Sequence, residues 1–290
     1  MTVGKPKIAP KPGDEKSKLF SGLSEVQRSI MMPDAYHTTA AETLSAENAN
    51  PSFGDMPPNE KLRPIGHAKI DLAVKWVEKK PDGLYLHSRY GVLRLSPVDS
   101  DIIRVTFVRG SEMGPDTRKK KPAMGNAGRW MYKASGNMVE LTTDSLCLQV
   151  DKTSGAVTYM TRNKKPLLSE KKAECRQIEP IQGGRVWLYL DWAKNEIIQT
   201  MGVLKSRRYP NGNGTESVKV NGSARYISHN GENDALPLVL SDKGYAIMMT
   251  EDRPTICCNI SSYGSYLSME RTEQIDFYFM LSGAVSRIRF

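Results

Sequence analysis

The residues with intrinsic reactivity are few and far apart. Four cysteines (Cys147, Cys175, Cys257 and Cys258) and four histidines (His37, His67, His87 and His229) are scattered over 290 residues. A structural zinc ion takes four Cys or His ligands in closely spaced pairs, and this spacing does not occur here. A disulfide framework needs more cysteines at regular intervals, so the four are expected to be reduced thiols. Adjacent Cys257 and Cys258 read as two small apolar residues on opposite faces of a strand. The sequence also lacks a phosphate-cradling glycine loop, a dinucleotide fingerprint, a His-Glu-any-any-His and a Gly-any-Ser-any-Gly elbow. Neither a cofactor nor a metal ion is expected.

The charge balance narrows the partners. With 41 Lys and Arg against 32 Asp and Glu, the formal net charge is +9, a value that nucleic-acid binders often reach. Its distribution points elsewhere. The first 65 residues carry eight basic and eight acidic side chains, and the excess lies after residue 65 in short clusters beside turn residues, such as Arg118 to Lys121 and Arg207 with Arg208. Such clusters are solvated loop tips, and no nucleic-acid partner is expected. No stretch approaches the ~20 apolar residues that a spanning helix needs, and the first 30 residues lack the apolar block of a signal peptide. The expectation is a cytoplasmic protein without a membrane partner. In that compartment the sequons at Asn213, Asn221 and Asn259 carry no weight.

Two regions divide the chain by pattern. Eight of the 17 prolines fall before residue 65, among Ala, Ser, Asn and Lys. Residues 1–65 therefore read as a Pro-rich, weakly ordered arm, with one amphipathic helix over 19–32 that Pro33 stops. Residues 66–290 change to period two. Ile103, Val105 and Phe107 share one face, as do Leu146, Leu148 and Val150; Val186, Leu188, Leu190 and Trp192; Leu236, Leu238 and Leu240; and Ile275, Phe277 and Phe279. Turn residues Asp151 to Gly155 and Ser241 to Gly244 each join two such runs into a hairpin. Short antiparallel strands with one apolar face each must pack two sheets together. The fold class expected is all-β, a large antiparallel β-sandwich with an extended N-terminal arm.

The run Gly222-Ser-Ala-Arg-Tyr-Ile-Ser228, then Leu236-Pro-Leu-Val-Leu-Ser-Asp-Lys-Gly-Tyr245, then Gln274-Ile-Asp-Phe-Tyr-Phe279 resembles the N-terminal domain of family 31 glycoside hydrolases. These are α-glucosidases, α-xylosidases and α-glucan-processing enzymes. The likeness covers about residues 70–283 and implies a galactose-mutarotase-like sandwich of the kind that packs against a (β/α)-barrel. It implies a partner carbohydrate of the α-linked glucoside or xyloside type, and in the loop before the Pro-led strand a sugar contact. Here that loop offers His229, Asn230, Glu232 and Asp234 as substrate-binding residues, with Glu232 or Asp234 replacing the family's displaced aspartate. Solvation of an exposed loop explains the same residues.

Retaining hydrolysis needs two carboxylates about 5 Å apart, which the family carries on the barrel. Its nucleophile motif, Trp-any-Asp-Met, does not follow Trp76, Trp130, Trp187 or Trp192, so no catalytic residue is carried over and the chain alone is expected to be inactive. The reading is therefore the carbohydrate-associated sandwich of an α-glycosidase, a partial enzyme without its barrel. The alternative is a stand-alone carbohydrate-binding or structural interaction module without catalysis. Arg225 with Tyr226 could stack on a sugar, but packing within a strand accounts for the pair, and Trp187 and Trp192 read as core or interface residues.

Overall fold

The computed structural model describes residues 53–62, 70–114, 128–204, 214–227, 238–250 and 253–287. The chain divides into two units, 1–49 and 50–290, and every described residue belongs to the second. The helix expected over 19–32 lies outside the described residues.

Among the described residues nineteen strands form three antiparallel sheets. The largest has nine strands, in spatial order β1 (Trp76–Lys80), β2 (Gly83–His87), β3 (Gly91–Asp99), β4 (Ile102–Arg109), β19 (Gln274–Leu281), β16 (Tyr245–Met249), β15 (Leu238–Ser241), β12 (Ile198–Leu204) and β13 (Gly214–Lys219). A second sheet orders β10 (Arg176–Ile178), β11 (Arg185–Tyr189), β18 (Gly264–Glu270), β17 (Thr255–Ile260) and β14 (Ala224–Tyr226). The third is the meander β5 (Met131–Ser135), β6 (Met138–Thr142), β7 (Leu146–Asp151), β8 (Val157–Thr161) and β9 (Pro166–Ser169). A bridge between Glu170 and Leu190 ties the two five-stranded sheets together. One core holds residues of all three sheets, among them Phe107 and Phe279, Leu148 and Tyr159, and Leu188 and Leu267. This is the expected sandwich.

Both expected hairpins form. Leu146 to Val150 pairs with Val157 to Thr161, and the turn between them is built by Asp151, whose carboxylate accepts the N–H of Thr153 at 2.8 Å. Gly155 closes this turn at φ 73°, and a Cβ there would stand 2.5 Å from the carbonyl oxygen of Leu72, so both the backbone and the available space demand glycine. Leu238 to Ser241 pairs with Tyr245 to Met248 in the same manner.

The alternation expected in β4, β7, β11 and β19 puts its apolar face into the main core, as read. β15 is different. Val239 enters the main core, whereas Leu238 lies in a separate cluster with Val98, Ile102, Met248, Tyr278, Met280 and Ala284. That cluster sits on the outer face of the nine-stranded sheet, and a 3-10 turn over Ser282–Arg287 contributes Ala284 to it. All five residues of β16 and residues 275–280 of β19 are consequently buried, which makes the middle of this sheet apolar on both faces.

A second correction concerns the arm. Residues 53–62, expected to be weakly ordered, are packed on the sandwich. The N–H of Gly54 donates to Tyr226 O at 2.8 Å, and the Tyr226 N–H donates to Asp55 O at 2.9 Å. The short helix α1 (Asn59–Leu62) then buries Leu62 against Trp187, Tyr226 and Tyr266. Arg185 donates to the Lys61 carbonyl at 3.0 Å, Tyr266 donates to the carbonyl of Leu62, and Lys61 pairs with Glu270 at 2.8 Å. Proline-rich composition does not prevent docking when a sheet offers an aromatic face and charged partners. Among the described residues no helix is long and apolar enough to cross a membrane, which says nothing of a β-barrel.

Candidate functional site

The connection expected to touch sugar joins β14, at the edge of one five-stranded sheet, to β15, inside the nine-stranded sheet. His229, Asn230, Glu232 and Asp234 all lie outside the described residues.

Elsewhere the structure buries three separate carboxylates, each with its own cation. Glu170 accepts from the Tyr159 hydroxyl at 2.9 Å and the Val157 N–H at 3.1 Å, and is paired with the fully buried Arg176. Glu196 accepts from Ser241 and from Tyr245, both at 2.6 Å, from the Ala193 N–H at 3.0 Å and from Lys243 at 2.9 Å. Asp276 accepts from Arg104 Nε and Nη2, both at 3.0 Å, and from Thr106 at 3.0 Å. Carboxylates saturated in this way hold strands and loops together. A glycosidase acid/base must instead face a substrate oxygen, and Glu170, Glu196 and Asp276 have side chains with no exposed surface.

Glu196 carries a pH dependence. Burial pushes its pKa up, but the hydrogen bonds from Ser241, Tyr245, Lys243 and Ala193 outweigh burial and leave it below the ordinary value. A carboxyl lowered in the folded state contributes stability that is full above the unfolded pKa, about 4.3, and is lost as pH falls through the lower folded pKa. Wild-type protein should therefore lose urea resistance more steeply below about pH 4.3 than Glu196→Gln does. Equal slopes for the two proteins would show that Glu196 contributes no such dependence.

Burial pushes the Cys175 thiol up to about 11 and the Cys258 thiol likewise to about 11. All four cysteines are free and buried, and at neutral pH they are apolar fillers rather than nucleophiles. Cys257 faces the main core and Cys258 the cluster beneath α1, on opposite faces as expected. Asn221 is engaged through its whole amide, donating to Glu196 O at 2.6 Å and accepting the Ile198 N–H at 2.9 Å. Its sequon is spent on structure.

Trp187 and Trp192 are buried, and Tyr226 is buried beneath α1, so packing accounts for them. Arg225 reaches the carbonyl of Gly54. Trp76, not expected from the sequence to form a binding surface, is 55% exposed. The signal available was a tryptophan opening the otherwise charged strand Trp76-Val-Glu-Lys-Lys80. A cleft of about 500 Å³ of mixed polar and apolar lining also opens on the face of β6–β9, lined by Gln149, Asp151, Thr158, Ser169 and Asp191 among others.

Compared by sequence, the chain matches no protein-family profile and no curated protein. Compared by structure, it is similar to a GH31 α-xylosidase from a soil metagenome complexed with xylose (TM-score 0.57, 16% identity, over 71% of this chain and 32% of that one). It is equally similar to a GH31 dextranase of Flavobacterium johnsoniae complexed with glucose (TM-score 0.57, 16% identity, 73% and 26%). The cycloalternan-forming enzyme of Listeria monocytogenes, in complex with a pentasaccharide substrate, follows (TM-score 0.55, 16% identity, 72% and 20%). In fold, the chain is a partial GH31-like domain. It spans a third or less of the length of these enzymes, and at this identity the likeness concerns the fold. The Gln274 to Phe279 run lies at the centre of the large sheet, between β4 and β16.

Proposed function

We propose that this chain is the carbohydrate-associated sandwich of an α-glycosidase-like protein, of the type that hydrolyses O-glycosyl bonds in α-glucosides or α-xylosides. In this reading it is a galactose-mutarotase-like domain whose catalytic carboxylates belong to a (β/α)-barrel outside this sequence. The observation that carries the reading is the fold likeness to GH31 enzymes over about 70% of the chain, combined with three buried carboxylates that are all committed to structural partners. The loop bearing His229, Asn230, Glu232 and Asp234 is its proposed sugar contact.

Incubated alone with aryl α-glucosides and aryl α-xylosides, the chain should release no phenol above the buffer rate, because Glu170, Glu196 and Asp276 are committed to structural partners and the sequence has no Trp-any-Asp-Met nucleophile motif. Turnover that a single Asp or Glu substitution abolishes would overturn this.

One observation favours the second reading, an autonomous binding module without chemistry. The central strands β16 and β19 are buried on both faces within this chain, so the middle of the large sheet is not a bare docking surface. Saturable binding of oligosaccharide by the chain, with no gain of activity beside any barrel, would support the autonomous module over the partial enzyme.

A further inference from the structure

Trp76 opens β1, the edge strand of the nine-stranded sheet, directly opposite His87 on β2. The two rings lie nearly parallel, with centroids 4.3 Å apart and an interplanar angle of 8°. One indole face is thereby covered. The 55% of Trp76 that remains exposed must be the opposite face and the ring edge.

His87 is only 8% exposed, and neither of its ring nitrogens has a hydrogen-bond partner. Its Nε2 stands 3.6 Å from Glu78 Oε2, longer than a hydrogen bond. Burying an imidazole without partners is costly, and so is leaving an indole in water. Local rules broken together in this way are expected at sites built for something else. What the arrangement yields is a flat aromatic surface, fixed from below and open above.

The rim is polar. Glu78 and Lys80 follow Trp76 on the same face of β1, 3.2 Å apart and both about half exposed. Beyond them Asp82 accepts from the Tyr85 hydroxyl at 2.7 Å and pairs with Arg94 at 3.3 Å. A ligand with one apolar C–H face and hydroxyl groups around its edge would find a stacking surface on Trp76, an acceptor in Glu78 and a donor in Lys80. The exposed carboxylates of Glu78 and Asp82 oppose a phosphorylated ligand.

We infer that Trp76, supported by His87 and flanked by Glu78 and Lys80, forms a surface subsite for a neutral pyranose ring of an oligosaccharide. The subsite rests on the carbohydrate reading above and uses none of the residues His229, Asn230, Glu232 and Asp234. It gives the sandwich a second foothold on a glycan chain.

Titration of the full chain with maltotriose, isomaltotriose and xylose, followed by calorimetry and by the indole N–H resonances, tests it. Trp76→Ala should weaken binding about tenfold and Trp76→Phe less, since the smaller ring still stacks. Trp76→Ala also removes the stacking on His87, so its melt is recorded beside the parent's, and Trp76→Phe, which keeps an aromatic ring there, serves as the folded control. The paired loop variant Glu232→Ala with Asp234→Ala should leave the resonance change at Trp76 in place. Sugar binding that Trp76→Ala does not weaken would overturn the subsite while leaving the carbohydrate reading standing. No saturable response to any of the three sugars would overturn both.

Discussion

Replacing Glu170 by alanine should destabilise the sandwich by about 3–5 kcal/mol, because it leaves the Arg176 guanidinium buried without its counter-charge. The side chains of Arg176 and Glu170 are 1% and 0% exposed, so water cannot substitute. Arg176 keeps only the Gly155 carbonyl, at 3.1 Å, and its position over the Phe107 ring, 5.6 Å from the centroid. The Tyr159 hydroxyl and the Val157 N–H lose their acceptor at the same time. For a domain of this size the melting temperature should fall by roughly 10 °C or more. The triple variant Glu170→Leu, Arg176→Met, Tyr159→Phe should recover most of the loss, since hydrophobic replacement of a buried pair is often neutral. Circular dichroism melts of the three proteins decide it. An alanine variant within about 1 kcal/mol of the parent would show that the pair does not hold β9 and β10 in place.

Phe279→Ala is expected to cost about the same, roughly 3–5 kcal/mol for a large buried aromatic truncated in a packed core. Phe279 is 0% exposed and stacks on Tyr159 from the opposite layer at 4.3 Å and on Tyr245 at 5.4 Å between centroids. Those two tyrosines carry the hydroxyls bound to Glu170 and Glu196. A cavity at Phe279 therefore loosens the aromatic rings that satisfy both buried carboxylates, and Phe279→Ala combined with Glu170→Ala should cost less than the sum of the two. Phe279→Leu should recover much of the loss by refilling part of the volume. Strict additivity in urea-unfolding free energies would contradict this coupling.

Much was legible from the residues alone. Period-two runs bounded by Asp, Ser and Gly identified strands and both hairpins, because the turn chemistry at Asp151 to Gly155 and Ser241 to Gly244 is local. The inward faces of β4, β7, β11 and β19 followed from alternation, and the lack of reactive motifs from residue types and spacing. The absence of a Trp-any-Asp-Met run could likewise be read directly, and so could the resemblance that led to the sandwich.

Other features were decided only by tertiary structure. Thr106 and Asp276 meet across 170 residues of sequence, a pairing that no local pattern encodes. Alternation in Leu236 to Leu240 showed that two faces differ, yet Val239 and not Leu238 faces the main core, since the outer face of the sheet is itself apolar. The proline-rich residues 53–62 dock because Trp187, Tyr226 and Tyr266 converge there from β11, β14 and β18. Of four tryptophans, Trp76 alone ends largely exposed, although its strand begins like any other. A sequence states which side chains a strand carries on each face; what covers each face depends on contacts between segments far apart in the chain, and burial follows from those contacts.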